Sequence, residues 1–338
     1  MLQRGTVALV IPVLNEEAYI GACLTSLLAS GPATLQSARV LVMDGGSTDG
    51  TAAVVARLAE GDPRIALVAN PKRRQSAALN LAARSLPPEV RVLLRADAHA
   101  TYPPGWADCC LAALEDTGAT SVVVPMRTVG VSGFQRGVAA AQNSRLGTGG
   151  SAHRGAGRSG WVEHGHHAAF DRAFFRSIGG YDEGFTHNED AELDVRGHLA
   201  GGRVWMCAEA PVDYFPRAAP GALARQYFRH GAGRARTVLR HGLRPRLRQM
   251  LPVAALLGCV GALVLAPVLP ALLAVPLLYA LLCLGWAAAL AAHAGDPWVL
   301  AAGPAAMIMH LSWGAGFLWS ALRREKAPGP AAVALKPL

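Results

Sequence analysis

From Gln249 to Gly295 the chain runs for 47 residues without a formally charged side chain. Crossing the hydrocarbon core of a bilayer takes about 20 apolar residues, so this run is long enough for two spans. Pro267 and Pro270 mark the hairpin between them, and Trp298–Leu322 is long enough for a third. A soluble core of this length without charge is rare, so residues 249–322 are read as two to three transmembrane helices and 323–338 as a tail. No cleavable leader is expected from the first residues. Val7–Val13 is apolar but only strand-length, and Asn15-Glu16-Glu17 stand where a cleavage site would be expected.

Charge divides the chain in the same place. The net charge is +9, yet residues 1–213 hold 19 Lys+Arg against 21 Asp+Glu, while 214–248 hold nine arginines and no acid. On a helical wheel Arg225, Arg229, Arg236 and Arg240 share about one quarter of the circumference. Leu223, Tyr227, Phe228, Ala235 and Val238 lie largely opposite, with Gly231 and Gly233 as potential interruptions. Residues 214–248 therefore read as a basic amphipathic interfacial segment resting on anionic lipid. Arginine clusters also suit nucleic acid, but adjacency to the spans favours the membrane surface, and no nucleic-acid partner is expected. Arginines before the first span favour a cytoplasmic origin, which places the N-terminal domain on the cytoplasmic face of the inner membrane. Arg323, Arg324 and Lys326 share that preference, although three spans would carry them to the other side. Either one stretch is re-entrant or interfacial, or the tail departs from the tendency.

Composition removes other classes. Charged residues are 16% and hydrophobic residues 52%, which excludes a disordered chain. The six cysteines show no paired ligand spacing, and Cys109 and Cys110 are adjacent, which argues against a disulfide scaffold or a zinc module.

Residues 1–213 alternate strand-like and helix-like stretches. Thr6–Ile11, Arg39–Met43, Arg64–Ala69, Arg91–Arg95, Ser121–Val124 and Arg203–Cys207 read as strands, and Glu16–Ala29, Thr51–Glu60 and Gln75–Leu86 as helices. This order predicts an α/β domain with a mostly parallel sheet and flanking helices. Such sheets bind ligands beyond the carboxyl ends of their strands. Here those ends are polar: Pro12-Val13-Leu14-Asn15-Glu16-Glu17, Asp44-Gly45-Gly46-Ser47-Thr48-Asp49-Gly50, Asn70-Pro71-Lys72-Arg73-Arg74-Gln75 and Asp97-Ala98-His99. Any one would pass as a solvated turn or helix cap, but four in register point to a site. The glycines form neither a phosphate loop nor a dinucleotide fingerprint.

VIPVLNEE, VMDGGSTDGT, RADAH and HNEDAEL together resemble the family 2 glycosyltransferases. The likeness covers about residues 5–240. RADAHATYPPGW, GHHAAFDRAFFRSIGGYDEGFTHNEDAELDVR and VDYFPR look closest to the succinoglycan-type branch of exopolysaccharide glycosyltransferases. The resemblance implies a Rossmann-like GT-A nucleotide-sugar-binding and catalytic domain over 1–213. It implies that Asp97 and His99 hold Mn2+ or Mg2+ on the donor diphosphate, with His99 where the family has a second Asp. Imidazole suits Mn2+ better than Mg2+. It further implies that Asp44 reads the uracil edge, with Gly46 where many members have another Asp. Pro12, Asn15 and Glu16 would line the nucleoside pocket, Lys72 or Arg73 would reach base or phosphate, and Asn80 is a further contact. Gly180 and Asp182 belong to a loop resembling the donor-sugar loop. Asp190 takes the role of general base, with Glu189 beside it among the nucleotide-sugar contacts; acids in a first helical turn also serve as caps, and Asp194 or Glu192 is read as the cap or surface residue.

His164, His166 and His167 invite a zinc reading, but no cysteines accompany them. Contact of His166 and His167 with acceptor or diphosphate fits better. Gly147–Gly160 holds six glycines with Arg154 and Arg158, and suits a lid or a plain loop equally. Gln226-Tyr227-Phe228-Arg229-His230 resembles a Gln-X-X-Arg-Trp box with His230 in place of Trp, which would put Gln226 and Arg229 by the acceptor or diphosphate. That mismatch, and too few spans for a channel, argue against a processive polymerase.

The expectation is a membrane-bound inverting transferase. It would move a hexose from a UDP-sugar to a hydroxyl of a polyprenyl-diphosphate-linked saccharide, alongside other exopolysaccharide assembly proteins. Two rivals stand beside it: a polyprenyl-phosphate sugar synthase, whose phosphate acceptor needs no general base, and a non-catalytic GT-A scaffold.

Overall fold

The apolar run Val7–Val13 forms β1 inside a sheet covered on both faces, and its alternating side chains feed two cores. Val7, Leu9, Ile11 and Val13 pack against α1 (Ile20–Ala29), α2 (Thr51–Gly61) and α4 (Trp106–Thr117). Ala8 and Val10 pack against α3 (Gln75–Ser85), α7 (Arg172–Ser177) and α8 (Glu189–Leu199). Full burial of each Leu or Ile contributes about 1.5–3 kcal/mol, so β1 anchors both layers. The computed structural model describes residues 6–31, 34–149 and 158–323. They form two compact units, one from the described residues of 1–126 and 156–213, the other from those of 127–155 and 214–328.

In the first unit β1, β2 (Arg39–Asp44), β3 (Ile65–Ala69) and β4 (Val92–Arg95) are parallel neighbours. The remaining strands are β5 (Ser121–Val124), β7 (Gly160–Val162), β8 (His166–Asp171) and β9 (Val204–Met206). The sheet order is β3-β2-β1-β4-β8-β5-β9-β7, with β8 antiparallel to both β4 and β5. Two further strands, β6 (Met126–Thr128) and β10 (Val212–Tyr214), form a separate ladder. Six strands lie where the sequence places them, whereas β6, β7, β8 and β10 were not anticipated. The first helix starts at Ile20 rather than Glu16, because Asn15–Glu17 bond to the loop after β2 instead. All six cysteines are free thiols.

The second unit contains α5 (Gly133–Gln142), the short α6 (Arg145–Thr148), α9 (Pro220–Arg240), α10 (Leu247–Leu265), α11 (Ala274–Ala294) and α12 (Ala302–Arg323). Three stretches, Leu247–Leu265, Pro270–Ala294 and Pro297–Arg323, are long and apolar enough to cross a membrane. The third is the most enclosed of the three. Within the basic segment Pro220–Arg240 is one unbroken helix, so Gly231 and Gly233 do not interrupt it. A Cβ at Gly231 would strike the Trp313 carbonyl, and one at Gly316 the Phe228 carbonyl. Glycine lets α9 and α12 touch backbone to backbone. His310 on α12 accepts or donates with Tyr279 Oη at 3.0 Å and meets the Leu146 carbonyl at 2.8 Å, which ties α6 and α11 to the same helix.

Arg172, buried at the start of α7, caps the turn after α3 by donating to the carbonyls of Ala83, Leu86, Pro87 and Val90. A buried acceptor left unmade costs about 1–3 kcal/mol. Arg172→Met is therefore expected to destabilise the first unit by about 3 kcal/mol or more, read as a lowered denaturation midpoint.

Candidate active site

The loops at the carboxyl ends of the first strands are laced into one another. Asn15, at φ 58°, donates its backbone N–H to the Ser47 hydroxyl oxygen (2.9 Å), while its side-chain oxygen accepts from Thr48 N–H (2.8 Å). Glu16 N–H donates to Thr51 Oγ1 (2.8 Å), and Gly50 N–H donates to Glu17 (2.9 Å). Asp44 folds its own turn, accepting from Ser47 N–H (3.0 Å) and the Ser47 hydroxyl (2.6 Å). A Cβ on Gly45 would stand 3.3 Å from Arg73 Cα and 3.4 Å from the Val13 carbonyl, so three loops converge there.

The loop containing Gly180 and Asp182 is fixed from α3. Asn80, buried, accepts from Tyr181 N–H (2.8 Å) and donates to the Tyr181 carbonyl (2.8 Å) and to Glu183 (3.0 Å). Its amide is thus occupied in holding the loop, with its oxygen packed where a Cβ on Gly180 would be. Asp182 closes the turn by accepting from Gly184 N–H (2.7 Å). Lys72 reaches Glu183 (2.5 Å), and Arg73 sits at φ 55° in the loop before α3. Burial raises the Glu183 carboxyl, but bonds from Lys72 and Asn80 outweigh it and hold the group below the usual range.

Arg95, the last residue of β4, lies at the centre and is only 5% exposed. Its guanidinium donates to Asp190 Oδ1 (2.7 Å) and to the Tyr181 hydroxyl (2.9 Å), and lies 3.6 Å from Asp97 Oδ1. Tyr181 also donates to Asp190 Oδ1 (2.7 Å). Gln75, turned so that its oxygen faces Arg95, accepts from Arg95 Nε at 2.6 Å. Burial alone would push the Asp190 and Asp97 carboxyls upward, but Arg95 reverses this and holds both below the ordinary carboxylate range. Glu189, with no such partner, is driven by burial and by Asp190 up to about 7. Two adjacent carboxyls are thereby split, Asp190 held ionised and Glu189 pushed upward, a pattern that marks acid–base sites.

The histidines separate. His166 directs Nε2 toward Asp97 Oδ2 at 3.6 Å, and burial lowers its pKa to about 4. His99 Nδ1 lies 3.1 Å from Glu16 Oε1 on a side chain about half exposed, and its charge also acts on Asp97. His167, its neighbour's opposite on the strand, is 1% exposed and pairs with Asp194 at 3.0 Å, so it is closed to any acceptor here. His164 meets the other Asp194 oxygen at 2.7 Å. The surface or capping roles expected for Glu192 and Asp194 are corrected, because both are buried. Glu192 pairs with Arg196 (2.7 Å), which donates to the carbonyls of Ile178 and Gly180 behind the donor-side loop. Most of the glycine-rich Gly147–Gly160 stretch lies outside the described residues.

Gln226 and Arg229 sit on α9 in the second unit. Gln226 donates to the Tyr214 hydroxyl (2.9 Å), and exposed Arg229 lines a groove with Arg225, Phe228 and Leu311. Sequence reasoning missed Arg95. Its signal was an arginine ending an otherwise apolar four-residue strand, two residues before Asp97.

Pro12, next to last in β1, lies opposite Met43 and borders the laced loops. Among the described residues no group of three or more His, Cys, Asp or Glu closes on a metal position. The donors present are a carboxylate, Asp97, and nearby imidazoles, which fits a cation that takes few protein ligands and completes its shell from a bound diphosphate.

The glycosyl transferase family 2 model matches residues 8–179. Succinoglycan biosynthesis protein ExoA of Rhizobium meliloti (strain 1021) is 48% identical over 313 residues, spanning 91% of this chain and 93% of that protein. Among solved structures, the mannosyltransferase PcManGT from Pyrobaculum calidifontis, in complex with GDP-Man and Mn2+, superposes with a TM-score of 0.58 at 20% identity. That likeness covers 96% of this chain and 89% of PcManGT. GalNAc-T7 with UDP, GalNAc and Mn2+ reaches 0.50 at 15% identity, over 63% of this chain and 43% of its own. At these identities the structural likenesses speak for the fold.

The Asp194–His167 pair carries a pH signature. The Asp194 carboxyl, raised by burial but lowered more by His167 and His164, sits below its ordinary 3.8. The His167 imidazole, lowered by burial but raised more by Asp194, sits above its ordinary 6.5. The aspartate contribution is lost as pH falls below 3.8, and the histidine contribution as pH rises above 6.5. His167→Gln is expected to shrink the stability difference between pH 5 and pH 8, measured by chemical denaturation.

Proposed function

The chain belongs to glycosyl transferase family 2, and from that membership we propose a membrane-bound, inverting hexosyltransferase. It moves a hexose from a UDP-sugar to a hydroxyl of a polyprenyl-diphosphate-linked saccharide in exopolysaccharide assembly. The observation that carries the mechanism is the single buried guanidinium of Arg95, which contacts Asp190 at 2.7 Å and lies 3.6 Å from Asp97. One charge thus fixes the spacing between a proton acceptor and the carboxylate on the diphosphate side.

The laced loops bearing Pro12, Asn15, Glu16 and Asp44 receive the nucleoside, with Asp44 on the uracil edge and Lys72 or Arg73 toward base or phosphate. Gly180 and Asp182 border the donor sugar on a loop held by Asn80. Asp97 and an imidazole hold a divalent cation, Mn2+ or Mg2+, which when bound neutralises the charge developing on the leaving diphosphate. Support for a cation comes from the two structural neighbours, both of which contain Mn2+. Asp190, at the start of α8 and kept ionised by Arg95, takes the proton of the acceptor hydroxyl as it attacks the anomeric carbon. Tyr181 orients that carboxylate through its hydroxyl.

The acceptor class follows the relative named for succinoglycan biosynthesis, and its lipid carrier follows the three membrane-long stretches and the arginines of α9. Gln226 and Arg229 are assigned to the lipid diphosphate and His166 to the donor-diphosphate side, while buried His167 serves to hold Asp194. The enzyme sits in the inner membrane with its catalytic unit on the cytoplasmic face, among other exopolysaccharide assembly proteins.

Asp190→Asn keeps the size and most hydrogen bonds of the side chain but removes the base. Transfer to a lipid-linked acceptor is expected to fall by about 10²–10⁴-fold, with UDP affinity nearly unchanged by calorimetry. Full transfer by this variant would overturn the assignment.

A further inference from the structure

Resting on the cation reading above, we infer that the nitrogen ligand paired with Asp97 is His166 on β8, and not His99 of the strand-end motif. The β4–β8 register sets Val92 opposite Asp171, Leu93 opposite Phe170 and Leu94 opposite Ala169. The paired register ends at Leu94–Ala169, where β8 shifts register against β5, and just beyond that point Asp97 and His166 meet. There a carboxylate and an imidazole face each other with Oδ2 and Nε2 3.6 Å apart.

That distance is too long for a hydrogen bond, and it suits two ligands of one ion. With metal–donor bonds of about 2.1 Å, two donors at a right angle stand about 3.0 Å apart. A shift of about half an ångström brings this pair to that spacing, well within side-chain relaxation. No hydrogen bond engages the His166 ring among the described residues, and its burial favours the neutral, ligating form. The competing imidazole is already engaged. His99 Nδ1 lies at Glu16 Oε1, 3.1 Å away, on a side chain about half in solvent. Recruiting His99 would break that contact and order an exposed ring, whereas His166 is already held in a sheet. Alternation along β8 turns His167 to the other face, so a single imidazole of the pair is available. The remaining positions of the ion are open to diphosphate oxygens and water.

The test is Mn2+ binding by the detergent-solubilised full chain, with and without UDP, followed by calorimetry and by pulsed EPR for directly bonded imidazole nitrogen. His166→Ala is expected to weaken Mn2+ binding at least about tenfold and to abolish the nitrogen signal. His99→Ala is expected to keep both within about twofold. His166→Asp, which restores a ligand of oxygen type, is expected to recover affinity without the nitrogen signal; this also separates ligation from misfolding. Loss of the signal in His99→Ala with its retention in His166→Ala would overturn the inference while leaving the cation reading intact. Mn2+ binding unchanged in Asp97→Asn as well as in His166→Ala would overturn both.

Discussion

One buried cation organises the catalytic unit. Arg95 has almost no access to water, and a charge in that position is tolerated only when paired and hydrogen-bonded. Its partners come from three different parts of the chain: Asp97 two residues on, Tyr181 from the donor-side loop, and Asp190 from the start of α8. Without the guanidinium, Asp97 and Asp190 would lose the strongest of the charges that hold them ionised against burial. With it, Asp190 stays ionised and Glu189 is left to move toward neutrality. The same contact thus fixes both the geometry and the protonation pattern of the site.

Sheet topology supplies the rest. A parallel half, β3-β2-β1-β4, delivers polar loops to one edge, where Asn15, Asp44 and Arg73 meet. The antiparallel insertion of β8 beside β4 then brings a second strand to the point where Asp97 leaves the sheet. A purely parallel sheet could not set residue 166 against residue 97 in this way. Behind the active-site edge, Glu192–Arg196 and Asp194–His164–His167 pin α8 from within, which keeps Asp190 in place. In the second unit the organising contact is different: glycines on α9 and α12 replace charge with close backbone packing.

Much of this was legible in the sequence because it depends on local pattern. Apolar runs of strand length followed by polar clusters located β1 to β4 and their loops, and a charge-free stretch of 47 residues located the membrane-long helices. The basic face of α9 was visible as helical periodicity. What stayed hidden depends on pairing between distant segments. His166 and His167 look alike in sequence, yet strand alternation sends one to Asp97 and the other to Asp194. Acids in the first turns of a helix usually serve as caps, so the burial of Glu192 and Asp194 required knowing that His167 and Arg196 would meet them. Gly231 reads as a helix breaker until Trp313, more than eighty residues later, is placed against it.

The central claim is that Arg95 keeps Asp190 charged so that it can accept a proton. The most direct measurement is the pH dependence of kcat/KM for sugar transfer in Arg95→Met, beside the wild type and Arg95→Lys. Burial is the largest influence on Asp190 and acts upward, so loss of the guanidinium lets it prevail. The acid limb of the Met variant should move to higher pH by about one unit or more, while Lys should restore part of the shift. An acid limb that stays in place in Arg95→Met, with transfer preserved, would contradict the claim.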